Sequence, residues 1–209
     1  MVPKAKKLGI KIIVALLLTC GIVIIVYGSW QLIDSKMAQA KALDIAKSNV
    51  LSESPVPVNA NKDYPITYQY EKGEVFGVLL IPSIEAELPI IEGTDQEELK
   101  KGVGHYIGSA YPTQQDQIVL SGHRETVFQN LGDLVVGDQI IIEMPDAAYS
   151  YEVTSTDIVD AADRNVIRST APDELLTLTT CYPFNFIGDA PERYIIYAKP
   201  VQSNLVAAE

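Results

Sequence analysis

Residues Leu175–Ala198, LLTLTTCYPFNFIGDAPERYIIYA, decide how the rest of the chain is read. Leu176 and Leu178 alternate with Thr177 and Thr179, the period-two pattern of a half-buried strand rich in β-branched residues. The pattern runs directly into Cys181. A turn-rich stretch follows, with Pro183, Asn185, Gly188, Asp189 and Pro191 all favouring bends. A second strand pattern, Tyr194–Tyr197, begins immediately after Arg193. A thiol thus stands where one strand ends and a guanidinium where the next begins. If the two strands pair, these side chains face each other across one sheet, and another part of the chain must supply a base.

Working outward, further strands are predicted at Val75–Ile81, Leu88–Ile91, Gln117–Ser121, Gln139–Glu143 and Tyr149–Ile158, beside Leu175–Cys181 and Arg193–Val201. Turns such as Gly137-Asp138 and Met144-Pro145-Asp146 separate them. One short helix is expected at Asp95–Lys101, where Thr94 and Glu97 form a capping box and Gly102 is the stop signal. A second is expected over Glu125–Leu131. Many short strands with only brief helices point to an all-β domain, a closed barrel or a sandwich.

Upstream the composition changes twice. Ile12–Trp30 is apolar and uncharged, and as a helix it is long enough, at about 28 Å, to cross a bilayer core. Tyr27-Gly28-Ser29-Trp30 is a poor cleavage site, so an uncleaved anchor is expected. The lysines at 4, 6, 7 and 11 precede it and the next charge is Asp34, which puts the N-terminus in the cytoplasm and everything after residue 30 outside. Leu32, Met37, Ala40, Leu43 and Ala46 recur at helical intervals and continue the helix as a stalk. Leu51–Gly73 then reads as an extended linker. The expected organisation is a cytoplasmic N-terminus (1–11), a transmembrane helix (12–30), a stalk and linker (31–73), a catalytic β-domain (74–201) and a tail (202–209).

The net charge of −11 conceals +4 in the first 33 residues, leaving −15 for the remainder. So acidic a body repels phosphate backbones and excludes nucleic acid as a partner. There are 2 cysteines and 2 histidines. Cys20 lies in the apolar run, so Cys181 has no evident disulfide partner, and a Cys/His zinc site is excluded on numbers. A nucleophilic cysteine needs a base or cation to form its thiolate, and only His105 and His123 are available. His105 sits in the glycine-rich turn Gly102–Gly108. His123 follows the core-type strand Gln117–Ser121 in IVLSGHRET, rigidly placed yet exposed. Taken singly, either histidine is as readily structural as catalytic. The coincidence of Cys181, His123 and Arg193 at strand ends selects His123.

In this reading Cys181 attacks a carbonyl carbon to give a thioacyl intermediate. His123 protonates the leaving amine and later deprotonates the incoming nucleophile. Arg193 donates to the developing oxyanion or holds the substrate backbone; the alternative for Arg193 is a surface ion pair with Glu192 or Asp189.

These residues carry a resemblance. Leu178-Thr179-Thr180-Cys181 with Arg193 beyond it, and Ser121-Gly122-His123-Arg124, resemble the sortases, membrane-anchored cysteine transpeptidases of Gram-positive bacteria. The longer strings GVGHY (102–106), LSGHRETVF (120–128) and TLTTCYPFNFIGDAPERYIIYA are similar to class D. The resemblance covers roughly residues 73–201. It implies a closed eight-stranded β-barrel, so the seven strands above are one short, and the long Tyr149–Ile158 is the expected place where two are merged. It implies that Thr180 lends its backbone or hydroxyl to the oxyanion site, that 160–173 contacts the substrate, and that 182–192 flanks the cleft. Class A relatives bind calcium through acidic residues near the first of these loops. Asp160, Asp163, Asp173 and Glu174 lie there, but such residues are ordinarily solvated, and neither metal nor cofactor is expected. The implied substrates are secreted proteins with a C-terminal LPxTG-like sorting signal, and the implied acceptor is an amine of a peptidoglycan precursor. The alternatives are a tethered cysteine endopeptidase that ends in hydrolysis and a non-catalytic wall-binding β-domain. A transpeptidase that cross-links peptidoglycan directly is disfavoured, because its nucleophile follows His-Gly in one compact motif.

Overall fold

Eight strands, β1 (Val75–Ile81), β2 (Ala86–Glu92), β3 (Val103–His105), β4 (Gln117–Ser121), β5 (Gln139–Glu143), β6 (Ala148–Asp160), β7 (Leu175–Tyr182) and β8 (Glu192–Pro200), account for most of the regular structure after residue 74. They close into a barrel in the order β1-β2-β3-β4-β7-β8-β6-β5, with β5 returning to β1. Closure removes the unpaired edges that short strands would otherwise expose. The computed structural model describes residues 4–51, 68–186 and 188–201. The interior is filled by alternate positions of the strands: Leu79 and Ile81, Ile118 and Leu120, Ile140 and Ile142, Tyr151 and Val153, Leu176 and Leu178, Ile196 and Ala198 are all buried. Each buried Val, Leu or Ile among these stabilises the fold by about 1.5–3 kcal/mol.

The strand that sequence reading lacked is β3, and the expectation that Tyr149–Ile158 conceals two strands is overturned. β6 is one strand of 13 residues, bent by a bulge between Val153 and Ser155 where it pairs with β8. β3 lies inside the glycine-rich string taken for a turn. Its glycines serve close approach: a Cβ on Gly102 would lie 2.5 Å from the Pro89 carbonyl oxygen, and one on Gly104 would lie 2.4 Å from that of Gly93. β2 and β3 are parallel, so a crossover must join them. Helix α2 (Gln96–Lys101) provides it.

The helix forecasts need two corrections. The α2 N-cap is Asp95, not Thr94, and no side chain caps it; the Asp95 carboxylate pairs instead with Lys72. Glu125–Leu131 is not a helix. Its backbone makes mostly i→i+3 turn bonds, such as Thr126 N–H to the His123 carbonyl and Leu131 N–H to that of Phe128, and a short 3-10 turn follows at Leu131–Asp133. Val127 and Phe128 tuck under Gly122, where a Cβ would come within 2.6 Å of the Phe128 ring.

The chain divides into two units, residues 1–38 and residues 39–209. Helix α1 (Lys4–Leu51) supplies the first, and Ile12–Trp30 presents large apolar side chains all round, such as Leu17 and Ile25. Its length and hydropathy suffice to span a membrane. In the second unit the last turns of α1 pack on the barrel. Ala42 and Ala46 are buried there, Lys47 pairs with Glu87 at 2.8 Å, and the Asn49 amide donates to the Val75 carbonyl. Most of the forecast linker, 52–67, lies outside the described residues. Its end is packed: Tyr70 stacks on Phe76 and tilts against Tyr111, and Tyr68 shares the Asp146 carboxylate with Tyr149. Burial pushes the Tyr70 hydroxyl up to about 12. The folded body therefore takes in residues upstream of the expected start at Glu74.

Candidate active site

β4 is buried over Gln117–Leu120 and runs parallel to β7 with Ser121 opposite Thr179. Residues 123 and 181 each lie two positions beyond that pair, on neighbouring strand ends that lie about 5 Å apart in a sheet. Two bonds hold the ends together: the Gly122 N–H donates to the Thr179 carbonyl at 3.1 Å, and the Thr180 hydroxyl donates to the Gly122 carbonyl at 2.7 Å. On the other side of β7, the antiparallel β8 places Arg193 directly opposite Cys181. A separation of 58 residues between His123 and Cys181 is thus closed by one parallel strand pair.

Cys181 is a free, partly exposed thiol, and His123 is partly exposed. Among the described residues the His123 ring makes no hydrogen bond. Arg193 is in no ion pair among the described residues, so the alternative of a partner in Glu192 or Asp189 is not what is found. Its Nη1 donates to the Ala190 and Glu192 carbonyls at 3.2 and 2.9 Å. Its other nitrogens make no hydrogen bond among the described residues. Thr180 is buried, and its single O–H is committed to Gly122. A hydroxyl has one proton to donate, so in this arrangement Thr180 itself could donate to an oxyanion only through its backbone.

His105 has the structural role. It is 1% exposed, its Nδ1 lies 2.7 Å from a Glu92 carboxylate oxygen, and its Nε2 lies 3.0 Å from both the Ala110 carbonyl and the Ser109 hydroxyl. Tyr111 stacks on the ring and donates to the same carboxylate oxygen. Burial, which local sequence could not reveal, separates the two histidines.

Two groups escaped sequence reading. The connection from β6 to β7 is held at the foot of β4: the Gln117 amide donates to the Val166 carbonyl and accepts from the Arg168 N–H, and the Asp116 carboxylate accepts from the Thr170 N–H and the Ser169 hydroxyl. Those backbone donors, Thr170 first, hold the Asp116 carboxyl below the usual carboxylate range. Arg124 is the other, a guanidinium that sequence would assign to solvent and that is only 5% exposed. The acidic residues of the 160–174 region make local bonds: Asp160 accepts from the Ala162 N–H, Asp163 from the Asn165 N–H, and Glu174 from the Tyr151 hydroxyl. Among the described residues no group of three or more His, Cys, Asp or Glu side chains is arranged to hold a metal ion.

Comparison with known proteins gives a consistent result. The sortase domain family matches residues 79–201. The chain is 43% identical over 197 residues to sortase D of Bacillus subtilis, covering 91% of this chain and 98% of that protein. In structure it is similar to a Clostridium perfringens sortase D5 transpeptidase, with a TM-score of 0.67 at 22% identity over 79% of this chain and 99% of the other. It is also similar to a sortase (SrtA) of Actinomyces oris, with a TM-score of 0.60 at 28% identity over 68% and 87%. The chain belongs to the sortase family, the cysteine transpeptidases that anchor surface proteins to the cell wall, and within that family to class D.

Proposed function

We propose that this sortase cleaves an LPxTG-like sorting signal near the C-terminus of secreted proteins and passes the acyl part to an amine of a peptidoglycan precursor. The observation that carries the assignment of residues is the strand register: Cys181 opposite Arg193, and His123 at the equivalent end of the neighbouring strand. The Cys181 sulfur, having given its proton to His123, attacks the carbonyl carbon of the signal's threonine. Arg193 donates its uncommitted N–H groups to the oxygen that becomes negative. The peptide C–N bond then breaks, with His123 returning the proton to the leaving amine, and a thioester remains. The acceptor amine attacks that thioester, His123 takes its proton, and the C–S bond breaks to free the enzyme. Thr180 supports the site by tying Gly122, and with it His123, to β7.

The apolar helix is the anchor, with its N-terminus in the cytoplasm and the barrel outside, as the lysine distribution directs. The test is to incubate the full chain in detergent with a panel of Leu-Pro-x-Thr-x peptides, with and without triglycine or a diaminopimelate-containing peptide, and to read products by mass spectrometry. The expected result is a ligated product that needs the amine. Cleavage that yields only the free acid at every amine concentration would replace transpeptidation with hydrolysis, and no cleavage of any peptide would sink the substrate assignment.

A further inference from the structure

We propose that Arg124 is a positioning residue for transpeptidation, setting the placement of His123 against Cys181 by holding the connection between β7 and β8; this rests on the roles given to those two residues above. Arg124 makes four hydrogen bonds among the described residues. Its Nε donates to the Glu125 carboxylate at 2.8 Å, its Nη1 to the Pro183 carbonyl at 3.2 Å, and its Nη2 to the Phe186 and Gly188 carbonyls at 2.8 and 2.9 Å. Glu125 is 62% exposed, so that ion pair is well screened and does not explain why the guanidinium is buried. The three carbonyls do explain it. They lie in an irregular connection outside any ladder, where the Pro183 carbonyl also accepts from the Phe186 N–H, and the planar fork of donors meets all three at once.

The placement matters because the same two segments bracket both reacting groups. On one side of His123, Gly122 is tied to Thr179 and Thr180; on the other, Arg124 is tied to Pro183, Phe186 and Gly188. Cys181 lies between Thr180 and Pro183 and is bracketed by the same bonds. The His123 ring has no hydrogen-bond partner among the described residues, so its orientation depends on this backbone frame. The Phe184 ring completes the hold, resting against Gly132, where a Cβ would come within 2.6 Å of it. A group that fixes two reacting side chains relative to each other, without meeting substrate, should act on kcat and leave KM nearly unchanged.

The test uses the full chain in detergent. It compares wild type, Arg124→Lys, His123→Ala and the double variant, reading kcat and KM with a sorting peptide and the rate at which iodoacetamide alkylates Cys181, followed by mass spectrometry of the peptide that carries it. Lysine keeps the charge but cannot reach three carbonyls. The expected result is a fall in kcat of tenfold or more for Arg124→Lys with KM within threefold, slower alkylation of Cys181, and a double variant that alkylates no more slowly than His123→Ala alone. Wild-type kcat in Arg124→Lys, a loss confined to KM, or multiplicative losses in the double variant would overturn the proposal. If His123→Ala alone leaves alkylation unchanged, the underlying assignment of His123 fails instead. Should Arg124→Lys lose its near-ultraviolet circular dichroism, Phe184→Leu slackens the same connection from the Gly132 side; it is expected to lower kcat at least threefold, and an unchanged kcat counts against the proposal.

Discussion

At the scale of single residues, the site depends on where a few donors go. Arg193 spends one terminal nitrogen on the Ala190 and Glu192 carbonyls, which fixes the guanidinium without consuming it. If Arg193 acts as proposed, replacing it by alanine removes a charged donor from the developing oxyanion, an expected loss of about 3 kcal/mol in transition-state stabilisation, or on the order of a hundredfold in turnover. Its side chain is only half-buried and in no ion pair among the described residues, so the melting temperature of Arg193→Ala should stay within a few degrees of wild type. Peptide turnover and a thermal melt on the same sample check both halves, and a variant that keeps its rate removes Arg193 from the mechanism. The position of Cys181 and the turn chemistry after it were legible in sequence. The committed hydroxyl of Thr180 and the burial of His105 were not, because both depend on neighbours far away in the chain.

At the scale of elements, two contacts can be tested by stability. Gly104 lets β3 approach the Gly93 carbonyl, so Gly104→Ala must force backbone apart, at a cost of about 2–3 kcal/mol. Chemical denaturation should show a lower midpoint with an unchanged slope, and a variant as stable as wild type would mean that the approach is not tight. Asp116 anchors the β6–β7 connection through its carboxylate. Its folded pKa lies below the unfolded value, so its contribution is fully present above the ordinary aspartate range and is lost as pH falls through the lowered folded value. Asp116→Asn is therefore expected to be less stable than wild type at neutral pH by about 1 kcal/mol, with the gap narrowing as pH drops below about 4. Denaturation midpoints of both proteins across that range check it, and a gap that widens in acid contradicts it. Glycine explains the main miss at this scale. A Gly-x-Gly string reads locally as a turn, and only the presence of Pro89 and Gly93 beside it makes it a strand.

At the scale of the whole molecule, the division into an apolar helix and an acidic barrel sets where each part can reside. If the barrel lies outside the cell, a membrane-impermeant maleimide added to intact cells should label Cys181, and the signal should vanish in Cys181→Ala while Cys20, inside the apolar run, stays unlabelled. Labelling only after the cells are opened would reverse the orientation.

Period-two patterning, turn residues and the lysine asymmetry are local properties, and they were enough to mark seven strands and the apolar helix and to nominate Cys181, His123 and Arg193 as candidates. Strand order, the parallel pairing of β4 with β7 and the carbonyls that hold Arg124 came only from the fold. Each of these depends on contacts between residues dozens of positions apart, and no local periodicity encodes which distant backbone will satisfy a buried donor.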